Sequence, residues 1–197
     1  MPKTLMDYPD YPLFPLSSVV FPGGIMPLRL FEPRYMDMLR YCTTQQSGFG
    51  VCALEGGGEG NRETTPRTIG TLAEIIDFDQ LDDGFLGITV EGKRRFQILD
   101  KRRTENGLWW GTVRFLEEQE DVPCPREFST LQQVLESIYD NLGEPYASRP
   151  RDFESASWIS ARLTELLPFD AATKHNLLAT PDPVERLRQI QPLIKIQ

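Results

Sequence analysis

The hydrophobic period turns from mainly strand-like to helical between Leu116 and Pro125, and that change limits the fold more than any other feature. As far as Leu116, apolar residues come in short runs or alternate with polar ones, the pattern of strands. Leu86, Ile88 and Val90 alternate with Gly87, Thr89 and Glu91, so one face of that segment is buried. Beyond Pro125 the spacing is helical. Phe128, Leu131, Val134, Leu135, Ile138, Tyr139 and Leu142 form one stripe; Trp158, Ile159, Leu163, Leu166 and Leu167 form another. The acidic, proline-bearing stretch from Glu117 to Pro125 separates the two patterns. The reading is an α+β chain, with a β domain over 1–118 and a helical subdomain over 119–197. No internal repeat is present.

Prolines divide the first part into short pieces. Pro12, Pro15, Pro22, Pro27 and Pro33 interrupt Leu13-Phe14 and Val19-Val20-Phe21, and proline has no place in a central ladder. These pieces are read as short strands, edges and bends. Pro33 suits a first helical turn, and Tyr35, Met38, Leu39 and Cys42 follow at helical spacing, so a helix is expected near Arg34 to Thr43. Glu32-Pro33-Arg34-Tyr35 is read as a structural corner. Phe49 to Leu54 reads as a strand, and Glu55 to Pro66 as a surface loop. Ile69 to Gln80 and Phe85 to Glu91 flank the turn signal Asp82-Asp83-Gly84. Arg94 to Lys101 and Leu108 to Leu116 flank a second, Glu105-Asn106-Gly107. Successive hairpins of this length suggest a closed or nearly closed antiparallel β-barrel. In the second part Gly143 is a candidate helix stop, Asp170 and Asp182 are candidate N-caps, and Pro183 sits at a first helical position.

Composition bounds the partners. With 21 basic and 29 acidic residues the net charge is −8, which disfavours indiscriminate binding to nucleic-acid phosphates. A chain of this mass buries about 70% of its unfolded surface, ample for a core without staples. The N-terminus carries no apolar run of signal-peptide type, and no stretch approaches a membrane span. Three cysteines, Cys42, Cys52 and Cys124, show no metal-ligand spacing, and a reduced, cytoplasmic setting is expected.

Catalytic motifs are few. His175 is the single histidine and has no nucleophile motif to serve, and no Ser-His or Ser-Lys pair can be placed. Gly87 to Arg94 nearly matches a P-loop. Arg94 stands where a hydroxyl would ligand magnesium, and the following Arg95 to Leu99 continues as a strand where a helix is needed. Glu74, Asp77, Asp79, Asp82 and Asp83 read as a solvated hairpin rather than a cation site, so neither a metal nor a cofactor is expected. Lys93, Arg94, Arg95, Lys101, Arg102 and Arg103 form a basic cluster beside Trp109-Trp110, but alternation sends them to different faces. The remaining candidates for a binding surface are the aromatic residues Phe21, Phe31, Tyr35, Trp109 and Trp110.

Three stretches resemble a known family: Tyr11-Pro12-Leu13-Phe14-Pro15-Leu16, then Val19-Val20-Phe21-Pro22-Gly23, then Pro27 to Tyr35. They are similar to the N-terminal domain of the ATP-dependent Lon protease, and most similar to stand-alone variants of that domain. The same domain type occurs in cereblon. Weaker pieces continue in order through Phe49-Gly50-Val51, Ile69 to Ala73, Val90 to Phe96 and Leu166 to Leu187. The resemblance implies a PUA-like β-barrel followed by a C-terminal helical bundle, and a non-catalytic role in selecting unfolded or extended polypeptides. An ATPase or protease partner is part of the implication. The family's ATPase and proteolytic residues map to nothing in this sequence. A PUA-like barrel binding RNA or a small ligand is the alternative reading.

Overall fold

The structure, a computed structural model, describes residues 7–56, 64–82 and 84–194. Asp83 and most of the Glu55 to Pro66 loop lie outside the described residues. The first part holds β1 (Asp10–Leu16), β2 (Ile25–Leu30), α1 (Pro33–Gln45), β3 (Phe49–Glu55), β4 (Thr65–Gln80), β5 (Leu86–Arg103) and β6 (Trp109–Phe115). The second holds α2 (Ser129–Asn141), α3 (Ala156–Leu166), α4 (Ala171–Ala179) and α5 (Pro183–Ile190).

The six strands form one sheet in the order β2-β5-β4-β3-β1-β6, and β5 also pairs with β6, so the pairings run round in a ring. Strand β5 is long enough for this. Its first third, Leu86 to Glu91, pairs with β2, and its second half, Phe96 to Arg103, pairs with β6. Register shifts in β4 opposite β5, and in β5 opposite β6, bend these long strands. Two sequence expectations are corrected. Pairing is not wholly antiparallel: β1 lies parallel to β3, because β2 and α1 intervene and return the chain in its original direction. Nor do the segments ending at Glu91 and starting at Arg94 form two strands: both lie in β5, with Gly92 between them, where an added Cβ would meet the Phe21 carbonyl oxygen. The Phe21 to Gly24 turn crosses β5 there, through Gly23 N–H to Gly92 O and Gly92 N–H to Gly24 O, each 2.9 Å.

Helix α1 starts at Pro33 as the sequence predicts and buries Tyr35, Met38, Leu39 and Cys42. These pack on Phe14, Phe49, Val51, Ile88 and Val90 to form the β core. Glu32 does not cap the helix; its carboxylate pairs with Arg34 Nε at 2.9 Å, and Arg34 donates onward to Gly107 O. Helices α2, α3, α4 and α5 share a second core through Leu131, Leu135, Ile159, Leu163, Leu177 and Leu187. Asp170 and Asp182 cap α4 and α5 by accepting the N–H groups of Thr173 and of Val184 and Glu185. Gly143 is not the stop for α2. The helix leaves through an extended Leu142, and the Gly143 carbonyl begins the next turn.

A third cluster joins the two parts, with Val19, Phe21 and Ala53 against Ala161 and Leu178. Two buried arginines reinforce it. Arg95 of β5 holds Glu118 with two guanidinium nitrogens and donates to Leu178 O at 2.7 Å. Arg186 of α5 donates to Leu177 O, Thr180 O and Ser160 Oγ. Together they satisfy the carbonyls that end α4, where a helix favours positive charge. Burial lowers the Arg186 pKa to about 10. Among the described residues no helix is long and apolar enough to cross a membrane.

Candidate functional site

The site is organised around the turn between β1 and β2, residues 17–24. Gly24 is pressed against α3: an added Cβ would lie 2.3 Å from Glu165 Oε1 and 2.6 Å from an Arg162 nitrogen. Glu165 accepts the Phe21 N–H at 2.6 Å and pairs with Arg162 Nε at 2.7 Å, both side chains being buried. Burial pushes the Glu165 carboxyl above its ordinary range, while Arg162, the Phe21 N–H and Lys174 pull it down. Lys174 of α4 reaches the same turn. Its Nζ donates to Ser18 Oγ at 3.1 Å and to Glu165 O at 2.8 Å. Burial pulls its pKa below the ordinary lysine value, against the opposing pull of Glu165.

Two cavities flank this junction. The first, about 420 Å³, runs beside β2 and is lined mainly by apolar groups, among them Phe14, Leu16, Met26, Leu28, Phe31 and Tyr35. The second, about 490 Å³, is lined by Tyr139, Trp158, Arg149, Arg151 and Glu91. Ile25, Tyr146, Glu165 and Leu166 line both, so the Glu165 carboxylate stands in the wall between them. In the second cavity Arg149 is held by Glu91 at 2.9 Å, and Arg151 lies over the Tyr139 ring. The outer edge of β2 carries Pro27, which has no N–H to offer a further strand.

The five aromatic candidates separate. Phe31 is 60% exposed on the rim of the first cavity. Tyr35 lines the same cavity but is only 6% exposed, its ring 4.1 Å from that of Phe14. Phe21 is 3% exposed between the two parts, with the Arg186 guanidinium 4.6 Å over its ring, so it is a junction residue without a free face. Trp109 donates from Nε1 to Thr64 O, and Trp110 packs edge-on against Tyr41, at the far end of β5 and β6. The structure thus brings Phe31 and Tyr35 together and leaves the tryptophans elsewhere.

The other motifs resolve locally. Gly87 to Arg94 lies wholly within β5, and Lys93 pairs with Glu91 and Glu74. Arg102 pairs with Asp10, Lys101 donates to Pro66 O, and Arg95 is buried, so the basic cluster has no common face. His175 Nε2 accepts the Ile69 N–H at 3.4 Å, and burial lowers its pKa. Burial raises the Cys42 thiol to about 11 and raises Cys52 and Cys124, so none favours a thiolate. Among the described residues no group of histidine, cysteine, aspartate or glutamate could hold a metal. One contact was not legible in the sequence: a serine and a lysine meet at Ser18 and Lys174. Separated by 156 positions, they leave no motif in the sequence.

The class this frame defines is an α+β domain with a ring of strand pairings, one helix packed on it, and a helical half that helps to wall an apolar cavity. The profile of the ATP-dependent protease La (LON) substrate-binding domain matches residues 10–195, and the chain belongs to that family. A crystal structure of a Lon N-terminal domain protein from Xanthomonas campestris is 35% identical, with a TM-score of 0.75, covering 95% of this chain and 99% of that one. A Lon protease of Parabacteroides distasonis is 26% identical over 184 residues, 89% of this chain and 22% of the protease. Cereblon of Xenopus tropicalis is 30% identical over 142 residues, 70% of this chain and 30% of cereblon. The chain therefore spans less than a third of the length of these curated relatives.

Proposed function

We propose that this protein is a recognition module for unfolded or extended polypeptide, and that the cavity beside β2 is where an apolar side chain of the client docks. The observation that carries the reading is Phe31. A large aromatic side chain stands exposed on the rim of a 420 Å³ cavity lined mainly by apolar groups, in a chain of the LON substrate-binding family. The tryptophans at the far end of β5 and β6 play no part in this reading. The ring of pairings is read as a PUA-like barrel over 1–118, with 119–197 as a helical subdomain that walls the cavity from one side. A cytoplasmic setting and an ATPase or protease partner belong to the same proposal.

The test is a titration of a labelled unfolded protein and a labelled RNA, each at low and high salt. Apolar docking survives added salt because it is not screened. RNA binding would fall steeply, since it depends on released counterions. Polypeptide binding that persists in salt and weakens in Phe31→Asp supports the reading. Salt-sensitive RNA binding without polypeptide binding supports the alternative of an RNA-binding barrel.

A further inference from the structure

The contact between Ser18 and Lys174 is not explained by polypeptide recognition through Phe31. Ser18 is half-buried in the turn after β1 and lines the 420 Å³ cavity beside Phe14, Leu16 and Ile25. Lys174 is buried at 6% exposure and donates to Ser18 Oγ at 3.1 Å. Its second bond, to the backbone oxygen of Glu165 at 2.8 Å, fixes the amine in place. A hydroxyl is a weak nucleophile until a base within hydrogen-bond reach takes its proton, and a third group usually orients that base. All three elements are present. We propose that Ser18 is a nucleophile activated by Lys174, and that the cavity admits small carboxylic esters with an apolar acyl group.

The chemistry is an acyl transfer. Lys174 Nζ, in its neutral form, takes the proton of Ser18 Oγ as that oxygen bonds to the ester carbonyl carbon. The carbonyl π electrons move to oxygen. The bond to the leaving alcohol then breaks, and Lys174 returns the proton to the departing alkoxide. Water repeats the sequence on the acyl-serine and releases the carboxylic acid. Desolvation favours the neutral amine that the step requires. Glu165, itself paired with Arg162, is the charged group that faces Lys174 from α3 and opposes this.

An alkyl fluorophosphonate tests the proposal. Ser18 Oγ displaces fluoride from phosphorus, and the adduct is mapped by mass spectrometry of peptides. The expected result is one adduct, on Ser18, absent in Ser18→Ala, with a rate about 100-fold lower in Lys174→Met, the usual scale of a general base. Because Lys174 also braces the fold, wild-type labelling is followed against pH as well. It should rise and level off below the ordinary lysine range near about 10.4. No adduct, an adduct on another residue, or a rate that climbs in proportion to hydroxide throughout overturns the proposal. Hydrolysis of p-nitrophenyl butyrate, lost in Ser18→Ala, is the expected turnover. Failure of these measurements leaves the polypeptide reading untouched, since that reading rests on client docking at Phe31 and not on the nucleophilicity of Ser18.

Discussion

Glu165 of α3 accepts the backbone N–H of Phe21 at 2.6 Å, so a carboxylate from the helical part holds the turn that leads into β2. The same carboxylate is paired with Arg162 and stands in the wall between both cavities. The shape of the first cavity therefore depends on a residue far from it in sequence.

Replacing Glu165 with Ala leaves the Arg162 guanidinium buried without its counter-charge and the Phe21 N–H without its acceptor. The expected loss is about 3–5 kcal/mol in urea unfolding, the scale of a broken buried pair. A loss below about 1 kcal/mol would place the pair in water.

Glu165 also makes stability depend on pH. Its folded pKa is raised by burial, so the folded chain takes up a proton at a pH where the unfolded chain is still ionised. Stability from this group therefore rises as pH falls from the folded value toward the ordinary carboxylate value near about 4.3. Relative to Glu165→Gln, the wild type should gain stability as pH falls through that interval. A difference that is flat or reversed across that interval contradicts the assignment.

Gly24 is expected to reject a side chain, because a Cβ there meets the Glu165–Arg162 pair. Gly24→Ala should cost about 1–3 kcal/mol, the range of overpacking. Gly143 provides the control, since nothing lies within 4 Å of its Cβ position. Gly143→Ala should fall within about 0.5 kcal/mol of wild type. Equal melting temperatures for the two variants would show that the turn yields freely.

These dependences show which features a sequence can carry. Capping by Asp170 and Asp182 was legible because each cap acts on N–H groups two or three positions ahead. The strands of the first part and the Pro33 helix start were legible for the same local reason. The parallel pairing of β1 with β3 was not, since register between non-consecutive strands is set by tertiary packing. The burial of Phe21 was not legible, because its cover comes from Arg186, in α5. Nor could the cavity be read, since its walls come from β1, β2, Tyr146 and α3. The Ser18–Lys174 contact likewise joins segments that nothing in the sequence connects.

Tyr35 and Phe31 separate stability from binding. Tyr35 is buried against Phe14, so Tyr35→Ala should destabilise by about 3 kcal/mol. Phe31 is exposed, so Phe31→Ala should leave the melting temperature nearly unchanged while weakening polypeptide binding. Thermal melts and binding titrations of the two variants check both halves.

The most direct test of the recognition reading is the affinity of wild type and Phe31→Asp for a labelled unfolded polypeptide, measured at about 0.05 M and about 0.5 M salt. The reading predicts wild-type binding that is nearly the same at both concentrations, and at least about tenfold weaker binding in a Phe31→Asp variant that melts like the wild type. Wild-type binding that collapses in high salt, or equal binding by the two proteins, would contradict it.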